Sequence, residues 1–593
     1  MGGGSSMEKK KIAWPKDDFI DLVLSWSIKD IFDDTLYQDQ VEKIPQSFES
    51  AEHYIGSFFF PLLEETRADI AASLKDIVKA PFAELISFDE VEPNGAFDVK
   101  VDYWRNKCSD GRVPYRTSPG DIVLISNANP ETANDLQRSG YWTFASVIDA
   151  NENDALVNFK VRVPPYSGIV KGMRQSCHIV FLVNVMPNNR VWDALRMRKN
   201  LNMIEKVLRP VPEKRIGQKC DVCSTSINDE SVGAVACNLL SKLNDSQASA
   251  ILTSLATVKC RHKASVELIC GPPGTGKTRT LSAMLVTLLR MKCRTITCAP
   301  TDVATARVAS KLVQLVQETY KNEFDGFCPL GDILLFGNNN CEDGEDIAEI
   351  SLDYRVGRLA ECLAPMTGWN HCVSSMINFL EELSEQEEAP KVKVKNSSLI
   401  DFSQFSSIAS SLRKFLLTIC THVPIRFLRG ENVESIVRAL SLLNSHERML
   451  FHKNVGSREL QKLFSCQQTF GVSLSSQSLV LLKDLQKSLG KLDFPTATRK
   501  DRITEFCIQM ASSVFSSAST SYKLHSVDME PFDLLVVDDA CQLKECEAVI
   551  PLQLRVACSS ISSGNESRFN SSQAILKWDN CFTKLQLDLR AQP

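Results

Sequence analysis

One segment of the 593-residue sequence has residue types and an order suited to holding phosphate: Gly271-Pro272-Pro273-Gly274-Thr275-Gly276-Lys277-Thr278. It satisfies G-x-x-x-x-G-K-[ST]. The glycines let backbone N–H groups converge on the phosphates, and a helix N-terminus adds a favourable field. Lys277 would reach the β- and γ-phosphates, and Thr278 would offer its hydroxyl to Mg²⁺. The expected cofactors are therefore ATP and Mg²⁺. A phosphate loop needs a second, acidic site. The run Leu534-Leu535-Val536-Val537-Asp538-Asp539-Ala540-Cys541-Gln542 supplies it. Its carboxylates end an apolar strand, where ligands bind in open α/β sheets. Asp538 would hold Mg²⁺, Asp539 would polarise the attacking water, and Gln542 would sense the γ-phosphate. Two further segments carry polar groups at useful places. Gln247, ending Leu243-Asn244-Asp245-Ser246-Gln247, can pair with both donor and acceptor edges of adenine. The segment 298–304, CAPTDVA, ends the next strand, where short polar residues can contact a phosphate backbone.

These residues need a scaffold. Residues 266–270 read as a buried strand leading into the loop. The helix after it places Leu281, Met284, Leu285, Leu288 and Leu289 on one side, and 295–298 is the next strand. This βαβ pattern predicts a parallel sheet. Residues 340–505 are mostly helical and polar and interrupt it. Within them an acidic run from Glu381 to Glu388, then Pro390 and KVKVKNSS, predicts a disordered linker. The α/β pattern resumes at 534–537. Upstream, residues 1–90 read as helical, and 18–31 has apolar residues at helical spacing. Short strands at 97–103, 121–126, 142–148, 156–163 and 178–185 predict a small barrel. A helical stretch at 191–208 follows. The tail from Arg555 shows no period.

The net charge of −5 excludes a globally basic nucleic-acid binder but leaves room for a local basic groove. The 20 cysteines are scattered without a repeat, which fits free thiols in a reducing compartment. The pair Cys220 and Cys223 lacks partners at zinc spacing, so no zinc is expected. No apolar run is long enough to span a membrane. Gly2 and Ser6 match a loose lipidation pattern, read as a flexible tail. The 391–395 stretch is read as solvated, and Trp104, Tyr141 and Trp142 as barrel core rather than base-stacking groups.

Together the motifs resemble the Upf-type, senataxin-like helicases of superfamily 1, in particular their plant branch. The carrying segments are LNDSQ ending at Gln247, GPPGTGKT at 271–278, CAPTDVA at 298–304, CPLGDILLFGN at 328–338, SSASTS at 516–521 and VVDDACQLKECEAVIPLQL at 536–554. The upstream glutamine motif and the pattern after the acidic strand separate it from AAA+ ATPases, which share the loop. The resemblance implies an α/β, RecA-like motor domain with an accessory barrel inserted before it. It implies single-stranded RNA or DNA as partner, contacted at Thr301, Asp302 and Ser517, with RNA-processing or decay factors as further partners and the nucleus rather than the cytoplasm as location. The expected layout is a helical region at 1–90, the barrel at 91–188 and stalk helices with the adenine motif at 189–260. The motor domain takes 261–338 and 505–554 around a helical insertion at 339–504, and 555–593 is an irregular tail.

Three departures from the family bear on activity. Asp539 stands where the family has Glu, one methylene longer, which predicts slow hydrolysis because a base needs hydrogen-bond reach. Asp302 stands where the family has Asn, and its charge disfavours a phosphate track. The resemblance ends at Leu554, and the 39 residues that follow are fewer than a second RecA-like domain needs. That domain is expected to be absent and the tail to be a frameshifted or spliced end, which transcript sequencing checks. The sequence thus predicts an ATP-binding, nucleic-acid-dependent helicase or ATPase with impaired chemistry, or alternatively a non-catalytic regulatory module derived from one.

Overall fold

The computed structural model describes residues 15–41, 43–45, 47–92, 95–105, 115–127, 129–133, 135–136, 142–151, 157–164, 177–209, 239–259, 265–269, 271, 274–320, 328–337, 345–388, 402–451, 471–556 and 573–576. Gly2, Ser6, Tyr141, Cys220, Cys223, Pro272, Pro273 and the 391–398 segment lie outside the described residues. The chain forms two compact units, residues 1–210 with 544–553, and residues 211–543 with 554–593.

The first unit carries helices α1 (Phe19–Ser25), α2 (Ile28–Ile31), α3 (Ala51–Gly56) and α4 (Phe59–Lys75). Six strands follow: β1 (Phe82–Glu92), β2 (Ala96–Val101), β3 (Asp121–Ser126), β4 (Trp142–Asn151), β5 (Val157–Arg162) and β6 (His178–Asn184). They close an antiparallel barrel in the order β1-β2-β5-β4-β3-β6. Val99, Val101, Val123, Ile125, Ala145, Val147, Phe159 and Val161 fill it, one face of each strand turned inward as a period of two requires. Periodicity missed β1, inside the region read as helical. A bulge between Leu85 and Ser87 resets its alternation, so Leu85 and Phe88 both pack on the core at a spacing that mimics a helix. Trp104 donates its indole N–H to Thr117 at 2.9 Å and packs edge-on against Tyr115, inside the barrel wall.

After the barrel come α5 (Met186–Met197) and α6 (Leu201–Leu208). They are two helices rather than one because Arg198 takes φ 49° and ends the first. Trp192 is fully buried between Phe19 and Phe59. A helix from far along the chain, Glu545–Leu552, completes this unit. The Gln553 side chain after it is fully buried, donating to the Ala194 carbonyl and accepting from the Lys199 N–H at 2.8 Å.

The second unit is built on helices α7 (Asp245–Lys259), α8 (Lys277–Arg290) and α9 (Asp302–Tyr320) and a parallel sheet. Its strands are β7 (Ser265–Leu268), β8 (Thr295–Ala299), β9 (Ile333–Phe336), β10 (Ser513–Ser517), β11 (Leu534–Val537) and β12 (Gln573–Leu576), in the order β7-β12-β11-β8-β10-β9. Leu281, Met284, Leu285 and Leu288 of α8 pack with Ile333, Phe515 and Val536 of the sheet. The observed order corrects four expectations. β7 is an edge strand, with Leu268 53% exposed, although its apolar run reads as buried. The α/β pattern resumes at β10, earlier than the run at 534–537. The acidic run from Glu381 to Glu388 is helical, because Glu and Gln are good helix formers and extend the amphipathic turns before them. The tail contributes β12, a four-residue strand too short for a periodic signal.

Between β9 and β10 lie α10 (Glu345–Ala348), α11 (Leu352–Cys362), α12 (Trp369–Glu388), α13 (Phe402–His422), α14 (Ile425–Leu428), α15 (Gly430–Phe451), α16 (Gly471–Leu489) and α17 (Lys500–Met510). α12, α13, α15 and α16 pack in a ring, each on two neighbours, as a four-helix bundle. Where this insertion meets the amino ends of the strands, charged side chains bond mostly to backbone. The Arg294 guanidinium donates to the carbonyls of Ala511 (3.2 Å), Ile508 (2.9 Å) and Glu530, and lies over the Phe532 ring at 4.8 Å. Arg355, 1% exposed, donates to the carbonyls of Gly331 (3.0 Å), Leu330 (2.8 Å) and Ile333. The Asp332 carboxylate accepts from the Ser512 hydroxyl (2.9 Å) and the Ile425 N–H (3.3 Å).

Candidate nucleotide site

All six strands run parallel, so every loop after a carboxyl end leaves the sheet at one edge. The predicted groups gather there: the glycine loop after β7, Thr301 and Asp302 after β8, Ser517 at the end of β10, and Asp538 and Asp539 after β11. Only β12 separates β7 from β11, a distance of two strand spacings, about 10 Å.

Gly274 and Gly276 take φ of 79° and 80°, a left-handed conformation that side chains with a Cβ resist. Gly276 starts α8, and a Cβ there would stand 2.9 Å from the Gln247 amide nitrogen. Two features thus require glycine at one position. The first turn of α8 holds Lys277, whose Nζ donates to the Gly271 carbonyl at 2.6 Å. This folds the ammonium over the mouth of the loop, where a phosphate can displace the carbonyl. Thr278, half-buried, is the next residue of that turn.

Gln247 is placed by a capping box. Its N–H donates to the Asn244 side chain at 2.9 Å, and its Oε1 accepts from the Asn244 N–H at 3.1 Å. Its Nε2 donates to the Thr275 carbonyl at 2.9 Å, tying the adenine motif to the phosphate loop. An amide has two N–H bonds and two lone pairs, so one donor and one acceptor remain for a base edge. Sequence reading missed Asn244, although the N-x-x-Q spacing is a capping signal.

Asp538 is 3% exposed, and its N–H donates to the Cys298 carbonyl at 2.8 Å, extending the β11 ladder by one residue. Asp539 then turns into the left-handed region at φ 49°, which Asp tolerates better than most residues. That reversal starts the tight turn Ala540–Gln542 and leaves Gln542 exposed. Thr301 is exposed and caps α9, accepting from the Ala304 N–H at 3.1 Å and keeping its O–H to donate. Asp302 turns inward, and a Cβ on Gly337 would lie 3.1 Å from its Oδ1. Ser517 is 6% exposed and donates to the Thr520 hydroxyl at 2.9 Å, so it holds a turn.

The chemistry of this edge suits a metal-bound triphosphate. Positive-φ glycines open onto a 14-residue helix N-terminus. The Thr278 hydroxyl and Asp538 carboxylate are hard oxygen donors of the kind Mg²⁺ takes. Among the described residues there is no cluster of three or more His, Cys, Asp or Glu that could hold a metal by itself.

A parallel sheet with a glycine loop after one strand and a buried carboxylate ending another defines a P-loop NTPase. Comparison with known proteins narrows this. Residues 242–558, more than half of the chain, match a family model described as an AAA domain. Residues 15–212 match a domain of unknown function (DUF6469). The chain is 25% identical over 376 residues to helicase sen1 of Schizosaccharomyces pombe, covering 58% of this chain and 20% of that protein. It is 23% identical over 420 residues to human probable helicase senataxin, covering 62% and 15%. It is 28% identical over 207 residues to an uncharacterized ATP-dependent helicase of Methanocaldococcus jannaschii, covering 34% and 26%. The chain belongs to this AAA-domain family and is a senataxin-like superfamily 1 helicase homologue. It spans about a quarter or less of the length of these relatives.

Proposed function

We propose that the chain binds ATP with Mg²⁺ at the carboxyl edge of its second unit and hydrolyses it slowly in response to single-stranded RNA or DNA. The observation that carries this is the Gln247–Thr275 bond, which joins a base-reading amide to a phosphate-reading loop. Gln247 orients adenine, the backbone N–H groups of Gly274, Thr275, Gly276 and Lys277 cradle the phosphates, and the Lys277 side chain leaves the Gly271 carbonyl for the β- and γ-phosphates. Thr278 and Asp538 would hold Mg²⁺, which neutralises phosphate charge when bound. Asp539 takes the place of the group that polarises water, and Gln542 senses the γ-phosphate. Thr301, with Asp302 and Ser517 beside it, lies on the track for a phosphate backbone, and the barrel guides the strand. The nucleus, with RNA-processing factors, is the proposed setting. Among the described residues no helix is long and apolar enough to cross a membrane.

Asp539 favours a second reading. A carboxylate one methylene short of the family's Glu, on a left-handed turn, fits a module that binds ATP without turning it over. ATP turnover, with and without single-stranded RNA or DNA, decides between the two. Lys277→Ala should weaken ATP binding about 100-fold under either reading, since it removes a charged partner of the phosphates. Turnover that rises with nucleic acid and is lost in Lys277→Ala supports the enzyme. Binding without turnover supports the module. Wild-type binding in Lys277→Ala would overturn both.

A further inference from the structure

One carboxylate lies inside the apolar run that leads into the phosphate loop, and none of the roles above uses it. Glu267 is the third residue of β7. Its neighbours in sequence, Val266 and Leu268, give no reason for an acid there. The structure does. The Thr257 hydroxyl donates to Glu267 Oε1, and the fully buried Ser254 hydroxyl lies 2.9 Å from Oε2, sharing its one hydrogen between that oxygen and the Ala250 carbonyl, also at 2.9 Å. Both hydroxyls belong to α7, the helix whose first turn carries Gln247. Ser254 and Thr257 are three residues apart, so they share a face of that helix. One carboxylate therefore spans two donors, and bonds to an ionised acceptor are among the stronger ones.

α7 is thus tied to the loop-bearing segment at both ends. Near its start, Gln247 Nε2 donates to Thr275 O, and Arg279 of α8 donates to the Lys242 carbonyl at 3.0 Å. Two to three turns on, Glu267 holds it to β7. Along the same helix, Ile251, Leu255 and Val258 pack into the core.

We propose that Glu267 is a positioning residue of the nucleotide site: through Ser254 and Thr257 it sets the axial position and rotation of α7, and so where the Gln247 amide meets the base. This rests on the nucleotide reading above. It predicts that Glu267 affects recognition of adenine and not of phosphate.

The test compares binding of ATP and of inorganic tripolyphosphate, each with Mg²⁺, to the full chain and its variants, alongside thermal melting. Glu267→Ala should weaken ATP about five- to tenfold, the scale of one ordinary hydrogen bond because the effect reaches the base only through α7, with tripolyphosphate unchanged and the preference for ATP over GTP reduced by a similar factor. Glu267→Gln, which can still pair with both hydroxyls, should restore most of the ATP affinity. The Ser254→Ala, Thr257→Val double variant removes the same tie from the other side and should reproduce the Glu267→Ala pattern, so the role stays testable if Glu267→Ala does not fold. Equal loss for ATP and tripolyphosphate, or no loss for either in a folded variant, overturns the role. If the wild-type chain binds tripolyphosphate but shows no preference for ATP, the role fails while the phosphate site stands. If it binds neither, the nucleotide reading itself fails.

Discussion

The two ends of the second unit's sheet handle charge in opposite ways. At the amino ends, buried Arg294 and Arg355 and half-buried Asp332 face carbonyls, a hydroxyl and an N–H group that take up most of their bonding, with Arg355 Nε left over. At the carboxyl ends the chain leaves regular geometry. Gly274, Gly276 and Asp539 adopt positive φ, and Thr301 and Gln542 stand exposed. What differs is how far the fold itself completes the bonding of the groups at each edge. An edge whose groups bond to one another stabilises, whereas an edge of strained turns and exposed polar groups is suited to a ligand.

The largest expected effect probes the amino edge. Arg294→Leu leaves the buried carbonyls of Ala511 and Ile508 without their donor, and should cost about 3–5 kcal/mol in denaturant unfolding. ATP affinity of the folded fraction should hold. A variant as stable as wild type would mean that the amino edge is not the structural half.

The same edge should respond to acid. His422, buried beside Tyr354, has its pKa pulled down to about 3, by burial first and then by the nearby Arg355 and Arg358 guanidiniums. The folded state resists protonating it and the unfolded state does not. Between about pH 6.5 and pH 3 the unfolded chain binds more protons, so stability falls as pH falls, by about 1.4 kcal/mol per pH unit from this group. Above about pH 6.5 it contributes no slope. Replacing His422 with Phe should flatten that window, as read by melting at successive pH values.

At the carboxyl edge, Asp539→Glu restores reach toward the attacking water and should raise ATP turnover about tenfold, with melting lowered slightly because Glu tolerates the left-handed backbone less well than Asp. Unchanged turnover would place the defect elsewhere than the side chain's length. The smallest effect is expected for Asp302→Asn, about threefold tighter binding of single-stranded RNA or DNA, most visible at low salt. Because Asp302 is turned toward Gly337, no change at any salt would show that its charge does not reach the strand.

The contrast also sorts what the sequence made legible. The loop and the acidic strand end could be read because each is a local requirement: glycines where φ is positive, a lysine at a helix start, carboxylates after an apolar run. β1 could not, because its bulge replaces alternation with helix-like spacing. Glu267 was hidden for another reason. Its partners lie 10 and 13 residues upstream on a different element, so no short pattern encloses them. Arg294 and Arg355 answer to carbonyls, which no side-chain motif records. The bundle was visible as helix, but its ring of contacts depends on which apolar faces meet.

The helix Glu545–Leu552 has a consequence for anyone who would divide this molecule. It starts six residues after Asp539, yet it belongs to the barrel unit, where Val549, Ile550 and Leu552 are buried and Gln553 is locked between Ala194 and Lys199. The barrel unit is not colinear with its gene segment. A fragment cut at residue 210 would lack this piece of its interior and expose an apolar scar, inviting clumping. Grafting 544–553 back through a short linker should restore solubility.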